Sequence, residues 1–235
     1  MVPPALAQTD LMRQPAPLLW TENGTPVSTR FDDPYFTIGA GLDEARHVFL
    51  DGNGLPDRFA PGFHIAELGF GTGLNLLAAM ACWTGPGQLR FTSFEAFPLP
   101  PDDMARALSA FDLPGADVMV AAWAAASGPV RMLELPAVTA EIHIGDARDT
   151  LPRWQSRADA WFLDGFSPAR NPELWGETLM AEVARHTVPG GTFATYTAAG
   201  HVRRALEGAG FAVTRKAGFG RKKHMTAGRL NGGSA

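Results

Sequence analysis

Cysteine is almost missing from this chain: Cys82 is the only one in 235 residues. A single thiol excludes an internal disulfide, and its place in the apolar run LLAAMACW (76–83) gives it a packing role. No run of 18 apolar residues occurs, which excludes a membrane-spanning helix. The six histidines (His47, His64, His143, His186, His201 and His224) are dispersed without metal-ligand spacing, so no metal site is expected. No Gly-Lys-Ser/Thr is present, which excludes a P-loop. The opening MVPPALAQTD has no basic n-region and no continuous apolar core, so no signal peptide is expected there and the predicted location is cytoplasmic. Charged residues are scarce at 19% against 46% hydrophobic, the balance of a globular chain with a sizeable core.

What is present begins with Glu67-Leu68-Gly69-Phe70-Gly71-Thr72-Gly73-Leu74-Asn75. It follows the short apolar run Phe63 to Ala66 and opens into the apolar stretch Leu74 to Trp83, which reads as strand, glycine loop, helix. Glycines there let the backbone pass close to a ligand and adopt positive φ. A dinucleotide fingerprint needs G-x-G-x-x-G or a closing Ala, and here that position is Leu74. Glu67 would repel a pyrophosphate but suits a cationic amine. S-adenosylmethionine carries an ammonium and a sulfonium and no phosphate, so it fits the loop better than a nicotinamide dinucleotide.

Further acids follow the same pattern. Arg90 to Phe94 is strand-like and ends in Glu95, 22 residues after Gly73, close to the offset that holds ribose hydroxyls. Ala140 to Ile144 is a third alternating run, followed by Gly145 and Asp146, an acid placed to accept from an adenine amino group. Each acid alone is an ordinary loop carboxylate; three at successive strand ends behind a glycine loop point to a cofactor site.

The rhythm after residue 60 is strand, helix, strand. Helices are expected at 74–83, 102–111, 116–126, 173–186 and 201–209. Strands are expected at 63–68, 90–94, 138–144, 158–163, 192–196, 211–215 and 223–230, with 130–135 forming a hairpin with the third. This predicts an α/β fold with a seven-stranded, mostly parallel sheet and an antiparallel last strand, Rossmann-like in its layering. Residues 1–20 read as an irregular N-terminal segment, 21–60 as a small β-rich lead-in, 61–230 as the α/β domain and 231–235 as a flexible tail. Ligands in such sheets bind outside the carboxyl ends of the strands, where Glu67, Glu95, Asp146 and Asp164 all fall.

Strand four carries the second strong motif, Trp161-Phe162-Leu163-Asp164-Gly165-Phe166-Ser167-Pro168. Many amine-directed methyltransferases place Asp/Asn-Pro-Pro-aromatic at this point. Asp164 could hold an amino group while the Phe166 ring stacks on a flat acceptor. An alkylamine has a pKa near the lysine value of about 10.4 and arrives protonated. A free carboxylate of pKa about 4 is a poor base for it, so the expected role of Asp164 is to orient the amine and stabilise the ammonium that develops.

Charge is unevenly spread. Residues 1–182 hold 11 Lys+Arg against 23 Asp+Glu, whereas residues 183–235 hold 9 Lys+Arg and only Glu207. An acidic body suits a cationic cofactor, and a basic C-terminal quarter suits phosphates. The alternative is a solvated face on terminal strands.

The set FDDPYF (31–36), GLDEARHVFLDGN (41–53), ELGFGTGLN (67–75), SFEAFPL (93–99), WFLDGFSPARNPELW (161–175), PGGTFATYTAAGHVRRALEGAGF (189–211) and GFGRKKHM (218–225) closely resembles the MnmC-type tRNA methyltransferase domain. The resemblance runs over about residues 16–230. It implies a class I S-adenosylmethionine-dependent methyltransferase that acts on the exocyclic amine of 5-aminomethyl-2-thiouridine at the tRNA wobble position, giving 5-methylaminomethyl-2-thiouridine. It implies cofactor contacts from Glu67, Gly69, Gly71, Gly73, Asn75, Glu95, Asp146 and Asp164, and catalytic roles for Asp164 and Phe166. It also implies tRNA contacts from Arg221, Lys222 and Lys223, with Arg203 and Arg204 of the same basic quarter. Asp32, Asp33 and Tyr35 would reach the acceptor pocket. Many members carry a fused FAD-dependent oxidase; this sequence shows none, so a standalone form is expected, and a monomer. Three rivals stay open here: an N-methyltransferase for a small-molecule amine or a protein, a nicotinamide oxidoreductase, and a catalytically silent cofactor-binding module.

Overall fold

The computed structural model describes residues 18–232. The expected irregular segment up to residue 17 and the tail from 233 lie outside the described residues. Among the described residues no helix is long and apolar enough to cross a membrane.

The described residues start with three short antiparallel strands, β1 (Leu18–Trp20), β2 (Pro26–Ser28) and β3 (Asp33–Pro34). Helix α1 (Gly41–Ala45) then runs on through a wider helical turn, Arg46–Leu50, and a tight turn, Asp51–Asn53, which ends at the left-handed Gly54. The lead-in is therefore β-rich only in its first half. The run His47 to Leu50, read as part of a β-rich segment, is wound helically because Val48, Phe49 and Leu50 are all buried, and a four-residue apolar run does not distinguish helix from strand.

The main domain follows as β4 (His64–Leu68), α2 (Leu74–Cys82), β5 (Leu89–Glu95), α3 (Pro101–Leu108), α4 (Ala116–Ala125), β6 (Val130–Glu134), β7 (Val138–Ile144), α5 (Ala147–Thr150), β8 (Ala158–Leu163), α6 (Glu177–Arg185), β9 (Thr187–Thr195), α7 (Gly200–Gly208), β10 (Phe211–Ala217) and β11 (His224–Leu230). Helix α3 opens with Pro101 at its first position and Asp102 and Asp103 in its first turn, all favourable at a helix start. The expected helix at 173–186 splits at Gly176, after a tight turn at Pro172–Trp175. Pro189-Gly190-Gly191 does not act as a stop for that helix; it lies within β9, where the register with β8 jumps from Ala158↔Thr187 to Ala160↔Thr192.

The sheet has eight strands, ordered β10-β11-β9-β8-β4-β5-β7-β6. That is one more than the seven expected: β6, the first arm of the expected hairpin, joins as an antiparallel edge strand on β7. Strands β7, β5, β4, β8 and β9 are parallel, and β11 runs antiparallel between β9 and β10. Successive core side chains alternate between the faces. Ile65, Phe91 and Phe162 join α2, α4 and the lead-in, whereas Leu68, Phe94, Trp161 and Leu163 join α6 and α7. Burying each such side chain contributes about 1.5–3 kcal/mol. Lead-in residues Ala45, Val48, Phe49, Leu50 and Leu55 belong to the first of these clusters, so the lead-in shares the domain's core. Strand order reverses between β4 and β8, and a ligand crevice is expected at their carboxyl ends.

Candidate active site

A cavity of about 770 Å³ lies at that reversal, over the carboxyl ends of β4, β5, β7 and β8. The glycine loop forms its floor. Gly69 (φ +84°) donates its N–H to the Phe94 carbonyl at 2.9 Å. A Cβ on Gly69 would sit 3.2 Å from the Gly165 Cα, so the loop after β4 and the loop after β8 touch backbone to backbone. Gly71 (φ +53°) faces the Tyr35 ring, which a Cβ would approach to 3.2 Å. Gly69 and Gly71 line the cavity. Gly73 does not: it caps α2 in the left-handed region beneath the Met119 side chain.

The four strand-end acids come together but do different things. Glu67 is fully buried and does not line the cavity. One of its oxygens accepts from Ser93 Oγ at 2.7 Å and the other from Asn75 Nδ2 at 2.9 Å. Burial first, and the charge of Asp164 second, push its pKa well above the carboxylate range. Asn75, which does line the cavity, stands hydrogen-bonded to Glu67. Glu95 does line the cavity; its oxygens accept backbone N–H groups of Gly71 (2.8 Å) and Phe97 (2.6 Å). Burial raises its pKa while those N–H groups pull it down. Asp146 caps α5 through the Arg148 N–H at 2.8 Å and grips the Arg148 guanidinium, with Nη2 at 2.6 Å. Those Arg148 hydrogen bonds hold its carboxyl below the usual range. Both Asp146 oxygens thus accept twice from Arg148, whereas each Glu95 oxygen accepts one of these N–H groups and keeps a lone pair for a ligand.

Asp164 stands immediately after β8, in the cavity wall. Oδ1 accepts the Gly165 N–H at 2.7 Å, and Oδ2 accepts Asn75 Nδ2 at 2.8 Å. Asn75 thus spends both amide hydrogens on carboxylates, one fully buried and one facing the cavity. Burial pushes the Asp164 carboxyl up to about 7, against the pull of those two hydrogen bonds. The loop after Asp164 is clamped from several sides. Tyr196 Oη donates to the Gly165 carbonyl at 2.8 Å, Trp175 Nε1 to the Phe166 carbonyl at 2.9 Å, and the Ser167 N–H to Asp33 Oδ2 at 2.8 Å. The Phe166 ring stacks on Phe31 (4.5 Å between centroids, 21° between planes) and meets the edge of Tyr35. One face of Phe166, expected to be open to a flat acceptor, is thus already covered by Phe31.

The lead-in delivers Asp33 and Tyr35 to the cavity as expected, together with Phe31 and Glu44; Asp32 pairs instead with Arg170 at 2.9 Å. The five basic residues expected to meet tRNA separate into two groups. Arg203, Arg204, Arg221 and Lys223 do not line the cavity and form no ion pair among the described residues. Lys222 lines the cavity, donates to Glu44 Oε1 at 2.8 Å and lies 4.3 Å from the Tyr196 ring centroid. Arg30, Arg148 and Arg170, from the acidic part of the sequence, also line it. Glu44 and Tyr196 escaped sequence reasoning, although a scarcity pointed to Tyr196: the chain has two tyrosines, and both line this cavity.

The residues suit S-adenosylmethionine. The glycines give a floor without side chains, Glu95 offers acceptors, and the glycine loop with its flanking elements, residues 59–89, contains no Lys or Arg that would clamp a phosphate against that floor. Among the described residues no cluster of three or more metal-ligating side chains exists.

Comparison with known proteins agrees. A family model described as S-adenosyl-L-methionine-dependent methyltransferase matches residues 115–231. The bifunctional tRNA 5-methylaminomethyl-2-thiouridine biosynthesis protein MnmC of Chromobacterium violaceum is 43% identical over 231 residues, covering 91% of this chain and 34% of its own length. The protein of the same name from Caulobacter vibrioides is 42% identical over 219 residues, covering 89% of this chain and 37% of its own length. The chain thus spans about a third of the length of the curated relatives it matches. The crystal structure of MNMC2 from Aquifex aeolicus shares the fold, with a TM-score of 0.68 at 24% identity over 92% of this chain and 73% of that one. By sequence, by fold and by the chemistry of its cavity, the chain belongs to the S-adenosyl-L-methionine-dependent methyltransferases, in the part it shares with the MnmC proteins.

Proposed function

We propose that this chain methylates the exocyclic amine of 5-aminomethyl-2-thiouridine at the tRNA wobble position, giving 5-methylaminomethyl-2-thiouridine, as a cytoplasmic monomer. The observation that carries this reading is the placement of Asp164, a desolvated carboxyl beside an aromatic wall in the same cavity as the glycine loop. The names of the relatives supply the nucleoside. Residues 61–230 are the methyltransferase domain, and residues 21–60 close its acceptor side. Gly69, Gly71, Glu95 and Asp146 hold the cofactor; Gly73 shapes the loop, and Glu67 acts from behind through Asn75.

S-adenosylmethionine supplies an electrophilic methyl group on a sulfonium. The chain's task is to present a neutral amine. An acceptor ammonium near pKa 10.4 must lose its proton, and an ordinary aspartate would take it at a cost of about 9 kcal/mol. With its pKa at about 7, the cost to Asp164 falls to about 5 kcal/mol. Asp164 is therefore the proton acceptor as well as the group that orients the amine, a stronger role than an exposed carboxylate could fill. The proton passes to the carboxylate and then to solvent through the open cavity. The ionised carboxylate then faces the new secondary ammonium and stabilises it. The Tyr196 and Trp175 hydrogen bonds fix the loop that carries Asp164.

The direct test is incubation with labelled S-adenosylmethionine and tRNA lacking this methylation, followed by digestion and nucleoside identification. Label in 5-methylaminomethyl-2-thiouridine is expected. Label confined to other nucleosides, or only to a protein or small amine, would overturn the assignment.

A further inference from the structure

We propose that Lys222 is a specificity-determining residue of the acceptor pocket, which donates to a neutral oxygen on the heterocycle bearing the amine, and that it does not hold a tRNA phosphate. The inference rests on the amine-methyltransferase reading above.

Lys222 lies in the turn between β10 and β11, closed by the Gly218 N–H on the Lys223 carbonyl and the Lys222 N–H on the Phe219 carbonyl. Its sequence neighbours Arg221 and Lys223 are exposed and line no part of the cavity, whereas Lys222 shares that cavity with Asp164 and Tyr196. Its ammonium is anchored at both sides. Nζ donates to Glu44 Oε1 at 2.8 Å, and the Glu44 side chain is only 11% exposed, with its other oxygen held by the Thr37 hydroxyl. The Tyr196 ring lies under Nζ, and its hydroxyl holds the Gly165 carbonyl, one residue from Asp164. Lys222 is also near enough to Asp164 to pull that carboxyl's pKa down.

This is the wrong arrangement for gripping a phosphate. A lysine that neutralises a phosphate does so as an unpaired, mobile point charge. Here a nearly buried carboxylate already offsets the charge, so the pair presents little net field to an anion. What remains is directional. An ammonium has three N–H donors, and Glu44 takes one while the Tyr196 face occupies a second direction. The Lys222 side chain is still 44% accessible, which leaves a donor for a ligand seated beside Tyr196. A carbonyl oxygen of a flat ring, whose aminomethyl arm points to Asp164, fits that donor.

Phosphate binding and pocket binding differ in their salt dependence. Removing one cation from a phosphate makes the slope of log K against log salt shallower by about 0.7 for single-stranded nucleic acid, and by about 0.9 for a duplex. Binding of unmethylated tRNA would be measured over a salt series, without cofactor, for wild type, K222M, K222Q and the R221A/K223A pair, alongside methyl-transfer kinetics and S-adenosylmethionine affinity. K222M and K222Q are expected to keep the wild-type salt slope and cofactor affinity while kcat/KM drops roughly tenfold or more, the scale of one directional hydrogen bond removed. R221A/K223A is expected to flatten the slope. A slope flattened by K222M and K222Q, or a kcat/KM they leave unchanged, would overturn the inference. Failure of the underlying reading looks different, because wild type itself would then leave tRNA unmethylated.

Discussion

At the residue scale the site turns on one amide. Asn75 joins Glu67 and Asp164, two acids that a sequence places on neighbouring strands without showing that a third side chain connects them. The Asn75 hydrogen bond lowers the pKa of Asp164, so removing it must raise that pKa further. The rate of wild type is expected to rise with pH along a limb centred near 7, as Asp164 loses its proton, and to be lost as pH falls through that value. N75L, with the same heavy-atom branching but without donors, should move the limb to higher pH and cut the rate at about pH 7 by an order of magnitude or so. D164N should abolish turnover and leave cofactor affinity largely in place. A pH–rate profile of each variant, with cofactor binding by calorimetry, checks all three, and an unmoved limb in N75L would remove the amide from this role. Strand-end positions of the acids were readable from alternation and glycine placement. Their facing was not: Glu67 ends in the protein interior because Asn75 and Ser93 satisfy it there.

At the level of elements, two of the loops that line the cavity meet at glycines. The loop after β4 passes the loop after β8 with Gly69 against Gly165, both at positive φ. A methyl at residue 69 meets backbone that no rotamer change can move aside, and it occupies a left-handed conformation as well. G69A is expected to lower stability by about 1–3 kcal/mol and to weaken cofactor binding together with it. A urea midpoint and cofactor affinity both equal to wild type would show that the loops do not need this close approach. The glycine spacing in the sequence announced the loop and even its ligand class, because an early third glycine and an acid at the strand end carry chemical meaning. The lead-in was harder to read. Val48, Phe49 and Leu50 suit a strand as well as a helix, and only the sheet face they pack against makes the helical turn the better burial. The eighth strand was visible as one arm of a hairpin, but an edge strand's membership of a sheet depends on pairing, which local pattern does not encode.

Across the whole molecule, distant parts of the chain close the site. His47 Nε2 meets the Ala217 carbonyl at 3.0 Å, and Glu44 meets Lys222, so the lead-in and the last hairpin hold each other over the cavity. Partners 170 and 178 residues apart leave no trace in local sequence pattern, which is why Lys222 reads as surface charge until the fold is known. The same global packing sets how stability depends on pH. His64, at the start of β4, is 2% exposed; Nε2 lies 2.8 Å from Thr92 Oγ1, and its ring packs edge-on against Trp154. Burial, reinforced by Arg90, lowers its pKa from 6.5 to about 4. The folded protein therefore holds His64 neutral, while the unfolded chain binds a proton below about pH 6.5. Its contribution is complete above that pH and is lost as pH falls toward 4, by about 2 kcal/mol between about pH 7.5 and 5.0. Glu67, Glu95 and Asp164 act in the opposite sense, since their raised pKa values let the folded state bind protons more readily than the unfolded chain as pH falls. The His64 effect is therefore read as a difference. Urea midpoints of wild type and H64Q, taken from about pH 7.5 to 5.0, should converge as pH falls, because glutamine keeps a partner for Thr92 but has no proton to gain. Parallel curves would mean that His64 is protonated in the folded protein, and that the Trp154 pocket tolerates a charge its burial argues against.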